Sequence, residues 1–60
     1  MKRNELIKQL IADGWYIHRE GREHTLFRHP VKTKLVAVSR STHDLATGTV
    51  ERIKRDAGLP

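Results

Sequence analysis

Sixty residues make one domain with a thin core, and nothing staples it: the chain has no cysteine, hence neither a disulfide nor a thiolate metal site. Twelve Lys and Arg against seven Asp and Glu leave a formal charge of +5. On so small a body that excess points to a polyanionic partner, nucleic acid above all.

Met1-Lys2-Arg3-Asn4-Glu5 opens an amphipathic pattern and not an apolar run, so neither a signal peptide nor a membrane span is expected, and the protein is read as soluble and cytoplasmic. Apolar residues at Leu6, Ile7, Leu10 and Ile11 predict a helix with one buried face. Asn4 is its expected N-cap, with Glu5 beside the positive end of the helix dipole. Asp13-Gly14 stops it, since Gly14 suits the left-handed residue after a helix and lets Trp15 fold back on Leu10. Trp15 to Arg19, aromatic and β-branched at its start, reads as a strand. Glu20-Gly21 reads as a turn, and His24 to His29 as a second strand.

Loop length decides which side chains share a face. A two-residue loop at Glu20-Gly21 sets Ile17 opposite His24 and Trp15 opposite Leu26. A three-residue loop, Glu20 to Arg22 with Gly21 in a bulge, pairs Trp15 with Phe27 and Ile17 with Thr25. The second is preferred, because it gathers Trp15, Ile17 and Phe27 on one apolar face. Tyr16, His18, His24, Leu26 and Arg28 are then left on the wet one.

Pro30 ends the second strand, for want of an N–H. Leu35 to Val38 is a short third strand, and Ser39 to Ala46 an ordered loop. Thr47 or Thr49 caps a last helix whose apolar positions are Val50, Ile53 and Ala57. Glu51 and Arg55 are spaced as an i, i+4 pair on its outer face. Gly58 ends this helix, with Leu59 placed to pack back on Ile53. The fold class is therefore α+β, in the order αβββα: a three-stranded antiparallel sheet with two helices on one face and water on the other.

His24 stands out because it leaves a tight turn onto a strand, with Arg22, Glu23 and Arg28 around it. Imidazole titrates near neutral pH and guanidinium binds phosphate, so the pattern fits proton transfer on a phosphodiester. His18 and Tyr16 share the wet face, Tyr16 as a surface on which a base can stack. His29, before Pro30, reads as a packing residue at a strand end. His18, His24, His29 and His43 are spaced like no compact metal-ligand set, so no metal and no cofactor are expected. A DNA-binding helix-turn-helix is disfavoured, since three strands separate the two helices.

The chain resembles the HicA family of mRNA interferase toxins. The residues that carry the likeness are the Leu-x-x-Asp-Gly-Trp run ending at Trp15 and Gly21 followed three residues later by His24. Phe27-Arg28-His29-Pro30 adds to it, as does the tail from Leu45 to Leu59 with Gly48-Thr49-Val50 and Ala57-Gly58-Leu59. The resemblance implies a fold like the double-stranded-RNA-binding domain, and metal-free mRNA cleavage by a histidine at the position of His24. It also implies a HicB antitoxin as partner, expected from the +5 charge to be acidic. Arg22 and Arg28 are then the expected phosphate ligands, with Tyr16 and His18 as further RNA contacts. Two places depart from the family pattern. Arg22 and Glu23 stand where a Gly-Ser turn is usual, and Ser39-Arg40-Ser41 follows Val38 where Pro-x-His is usual, the next histidine being His43. A binding module of this fold that holds RNA and antitoxin without cutting is the alternative reading.

Overall fold

A computed structural model describes residues 1–60. Its elements are α1 (Arg3–Ala12), β1 (Tyr16–Glu20), β2 (His24–Arg28), β3 (Val36–Ser39) and α2 (Thr47–Ala57). The strands form one antiparallel sheet in the order β1-β2-β3, so the αβββα expectation holds. β2 is central, and its burial alternates: Thr25 and Phe27 are buried, while His24 and Arg28 are exposed and Leu26 is half-buried between them. Leu6 and Leu10 of α1, Trp15, Phe27, Val36, Val38, Leu45, and Val50, Ile53 and Ala57 of α2 make the core, with Ile7 and Leu59 against it. Both helices thus bury one stripe on the inner face of the sheet. Ile11, expected in that stripe, is 55% exposed.

The strand register differs from both sequence-based arrangements. Tyr16 pairs with Arg28 and Ile17 with Phe27, but Arg19 pairs with Leu26 and Glu20 with Thr25, with a bulge between Ile17 and Arg19. His18 is the surplus residue. The turn is also tighter than expected: Gly21 N–H donates to the His24 carbonyl at 2.8 Å, leaving Arg22-Glu23 as its tip. The bulge absorbs one residue, so β1 is shifted against β2. Trp15 therefore precedes the strand instead of pairing with Phe27, and is buried as the residue after the α1 terminus. Ile17 opposite Phe27 lies on the edge strand, beyond the helices, and is 51% exposed.

Neither helix is capped as expected. Asn4 lies inside α1 and Lys2 takes the N-cap position without a side-chain bond. The reason is a remote segment: Arg3 N–H donates to the His43 carbonyl at 2.7 Å, and Lys2 and Asp44 form an antiparallel bridge. Backbone thus satisfies the helix start that a side chain would otherwise serve. Ala46, not Thr47 or Thr49, precedes α2, again with no side-chain cap. The Glu51–Arg55 pair is not formed; the ion pairs present are Lys32–Asp13 and Lys34–Asp56.

The C-termini follow the sequence closely. Trp15 N–H reaches the Leu10 carbonyl and Gly14 N–H the Ile11 carbonyl, both at 3.0 Å, the bond pair of a Schellman motif. Gly14 has φ +105°, and a Cβ there would lie 2.8 Å from His29 Nε2. His29 Nδ1 accepts the N–H groups of Val31 and Lys32, so Nε2 carries the proton and donates to the Asp13 carbonyl at 2.7 Å. Its ring meets Trp15 edge to face. His29 is thus the strand-end packing residue that its place before Pro30 suggests.

Lys32 joins the ends of both helices, donating to Asp13 Oδ2 at 2.6 Å and to the Ala57 carbonyl at 2.7 Å. That bond from Lys32 is the main reason the Asp13 carboxyl is held below its ordinary value; desolvation opposes it, and the Lys32 charge and the Trp15 indole N–H reinforce it.

Three variants test this framework. Gly14→Ala forces a left-handed φ on alanine and presses on His29, and is expected to cost at least ~1 kcal/mol, about 4–8 °C in Tm. Gly48→Ala in the first turn of α2 meets no atom within 4 Å and is expected to raise Tm slightly. A depressed carboxyl stabilises the fold above its unfolded value, 3.8, and loses that contribution as pH falls through the folded value. Lys32→Gln should therefore lower Tm at neutral pH. The gap from the parent should narrow below about pH 4, leaving only the share due to the Ala57 bond.

Candidate active site

The open face of the sheet is set by β2. His24, Leu26 and Arg28 point away from the helices, Arg28 beside Tyr16 of β1, Leu26 between Arg19 of β1 and Ala37 of β3, and His24 beside Ser39 of β3. His24 is exposed, and its imidazole takes part in none of the side-chain hydrogen bonds of the chain. It lines a shallow hollow of about 390 Å³ with Arg19, Gly21, Arg22, Glu23 and Leu26.

The backbone that carries this imidazole is fixed from three sides. Arg40, one residue past β3, donates its guanidinium to the Gly21 carbonyl at 2.6 Å and its N–H to the Glu23 carbonyl at 2.9 Å. Gly21 N–H closes the turn on the His24 carbonyl, and a Cβ at Gly21 would crowd that carbonyl at 3.2 Å. Behind the strand, half-buried Arg3 donates Nε to the Ser39 carbonyl and Nη2 to Thr25 Oγ1 at 3.0 Å. Thr25 is the buried polar residue of the chain, so this bond also removes the cost of a bare hydroxyl in the core. Arg3 is therefore a structural residue. The result is a rigid strand end with a free side chain.

The other residues singled out by sequence separate into two groups. Arg22 lies in the hollow with His24. Arg28 and Tyr16 lie on the same face but at its far end: four residues along β2 is roughly 13 Å at ~3.3 Å per residue. Arg28 therefore stands at the opposite end of the strand from His24 and does not line its hollow. His18, as the bulged residue, is exposed on the edge strand and has no partner across the sheet. His43 is exposed and lines a different hollow with Lys2, Arg3, Asn4, Glu5 and Asp44. Nowhere do three or more His, Cys, Asp or Glu side chains converge as a metal would require.

Sequence reasoning missed Arg19 and Arg40. Regular alternation from Trp15 puts Arg19 on the inner face, and only the bulge brings it to the hollow. Tyr16 to Glu20 contains no glycine or proline to announce such a bulge. Arg40 sits in what reads as a loop, and nothing local marks it as a clasp for a turn nineteen residues away.

This architecture, two helices behind an open three-stranded sheet, is compatible with the double-stranded-RNA-binding type of fold. The family model for the HicA toxin of bacterial toxin–antitoxin systems matches residues 3–59. The chain belongs to the HicA toxin family. None of the curated proteins matches it.

The clasp makes its own prediction. Arg40→Gln removes an exposed, charge-assisted bond outside the core and should cost roughly 1 kcal/mol or less of global stability. Hydrogen exchange at the Gly21 amide should accelerate well beyond that of the Thr25 and Phe27 amides. Equal acceleration at all three would mean that Arg40 supports the whole sheet and not the turn.

Proposed function

We propose that the chain is the toxin of a type II toxin–antitoxin pair and cuts mRNA as a metal-independent endoribonuclease through His24. The observation that carries this reading is the combination at the start of β2: a free imidazole on a backbone held by Arg40 and Arg3, in a hollow that Arg22 also lines. RNA supplies its own nucleophile. The 2′-oxygen forms a bond to the adjacent phosphorus while the bond from phosphorus to the 5′-oxygen breaks. This leaves a 2′,3′-cyclic phosphate and a 5′-hydroxyl. One proton leaves the 2′-oxygen and one arrives at the 5′-oxygen, and an imidazole can serve either transfer. Guanidinium offset against the extra negative charge on the phosphoryl oxygens lowers the barrier further.

A free, positively charged sheet face also suits an acidic HicB-like antitoxin, which would inhibit by covering His24. No helix is long and apolar enough to cross a membrane, in keeping with an mRNA target in the cytoplasm.

Cleavage of a single-stranded oligoribonucleotide in the presence of chelator tests the enzyme reading. His24→Ala is expected to lower the rate by roughly 10²–10⁴-fold while keeping Tm and RNA affinity near the parent values. Unchanged cleavage in that variant sinks the role given to His24. A parent protein that binds RNA and never cuts it is the non-catalytic binding module instead.

A further inference from the structure

We infer that Arg19 is a phosphate-binding residue of the same site, reaching from β1 to the phosphate that His24 faces; this rests on the reading of the open face as an RNA-cleaving surface. The bulge at His18 places Arg19 opposite Leu26, and His24 is the outward residue two positions before Leu26 on β2. Diagonal neighbours of this kind are roughly 7–8 Å apart, their Cβ atoms somewhat closer. An arginine side chain spans that gap, so one phosphate can touch both the guanidinium and the imidazole.

Three further observations favour a phosphate over a solvated arginine. Arg19 lines the hollow together with Arg22 and Glu23, so two cationic residues and one acidic residue border it. Neither ion pair of the protein uses Arg19, and neither does any side-chain hydrogen bond. The two arginines also approach from different elements, β1 and the turn tip, so a phosphate between them meets forks from two directions. Guanidinium binds phosphate through paired N–H donors in a fixed plane, and two such forks can hold the equatorial oxygens as charge builds on them. Arg28, at the far end of the face, is not placed for this. Arg19 is the cation that completes the site in its stead.

Two readouts separate Arg19 from a general effect of charge. In a His24→Ala background, which leaves RNA intact, the affinity for a single-stranded oligoribonucleotide is measured against salt. Each phosphate neutralised contributes about 0.7 to the slope of log K against log salt for single strands. Arg19→Gln should reduce the slope by about that amount, and Lys8→Gln, on exposed α1 surface behind the sheet, should leave it unchanged. With His24 present, Arg19→Gln should lower kcat/KM roughly 10- to 100-fold. Arg19→Lys should keep the salt slope but lose much of the rate, because the charge survives and the fork does not.

An unchanged slope in Arg19→Gln overturns the inference, as does an equal loss in Lys8→Gln. If the parent protein does not cleave RNA but the slope difference remains, the enzyme reading falls and Arg19 stands as an RNA-phosphate ligand. If the parent does not bind RNA, both fall. Thermal unfolding of each variant confirms that the exposed position is not needed for folding, and Arg19→Lys provides the second arm should the glutamine variant prove unstable.

Discussion

Burial of Thr25 and Phe27 on the central strand decides the orientation of everything on the open face. β2 is flanked by a strand on either side and covered by helices on one face, so its alternation cannot slip without exposing a phenyl ring and a satisfied core hydroxyl. Truncating a buried Phe costs ~3–5 kcal/mol, a large part of the total stability of a domain this small. His24 is exposed because its neighbour is not. The same alternation carries Leu26 and Arg28 outward, and gives the sheet one dry face and one wet one.

A second constraint acts at the corner where both helices end. Asp13, Trp15, His29 and Lys32 interlock there: an indole N–H and an ammonium on one carboxylate, an imidazole on the Asp13 carbonyl, and the same ammonium on the last turn of α2. Lys32 also lies 5.8 Å from the centre of the Trp15 ring. Exposed ion pairs contribute little on average, but this ammonium satisfies a helix-terminal carbonyl as well as a carboxylate. In a chain without disulfides, such a joint does what a staple would do. The close fit also explains the demand on Gly14, where the left-handed backbone and the nearby imidazole each exclude a side chain.

The elements and their order were legible in the sequence because they rest on local signals: apolar spacing in both helices, Gly14 and Gly58 as left-handed stops, and Pro30 at a strand end. What local signals could not supply was any bond to a distant segment. The start of α1 is satisfied by the loop at His43, so the side chain of Asn4 is not needed as a cap. Arg3 resembles any basic residue on a helix, yet it bonds Thr25 and Ser39, residues far along the chain. The bulge at His18 is of the same kind: Tyr16-Ile17-His18-Arg19 reads as a plain strand, and its register is fixed only when Trp15 is drawn out of it to cover α1. The candidate site was accordingly half legible. His24 and Arg22 are adjacent to the turn and visible in the sequence, whereas Arg19 and Arg40 depend on pairing.

The two arginines that hold the site, Arg40 just past β3 and Arg3 on α1, do so by donating to carbonyls and a hydroxyl, not by meeting acids. Arg40 spends its guanidinium on Gly21, which lines the hollow, and Arg3 spends its own on Ser39 and Thr25 behind the strand. Bonding to neutral acceptors keeps the local field positive, where a carboxylate partner would cancel it. Structure and electrostatics are then supplied by the same side chains. A domain of 60 residues with net charge +5 has few positions to spare, and clamping a strand with arginine instead of an apolar contact rigidifies the backbone while adding to its attraction for a polyanion. Self-repulsion among these cations costs stability, and an acidic protein or RNA laid on the open face would relieve it. The surplus charge is therefore best understood as part of how the site is built.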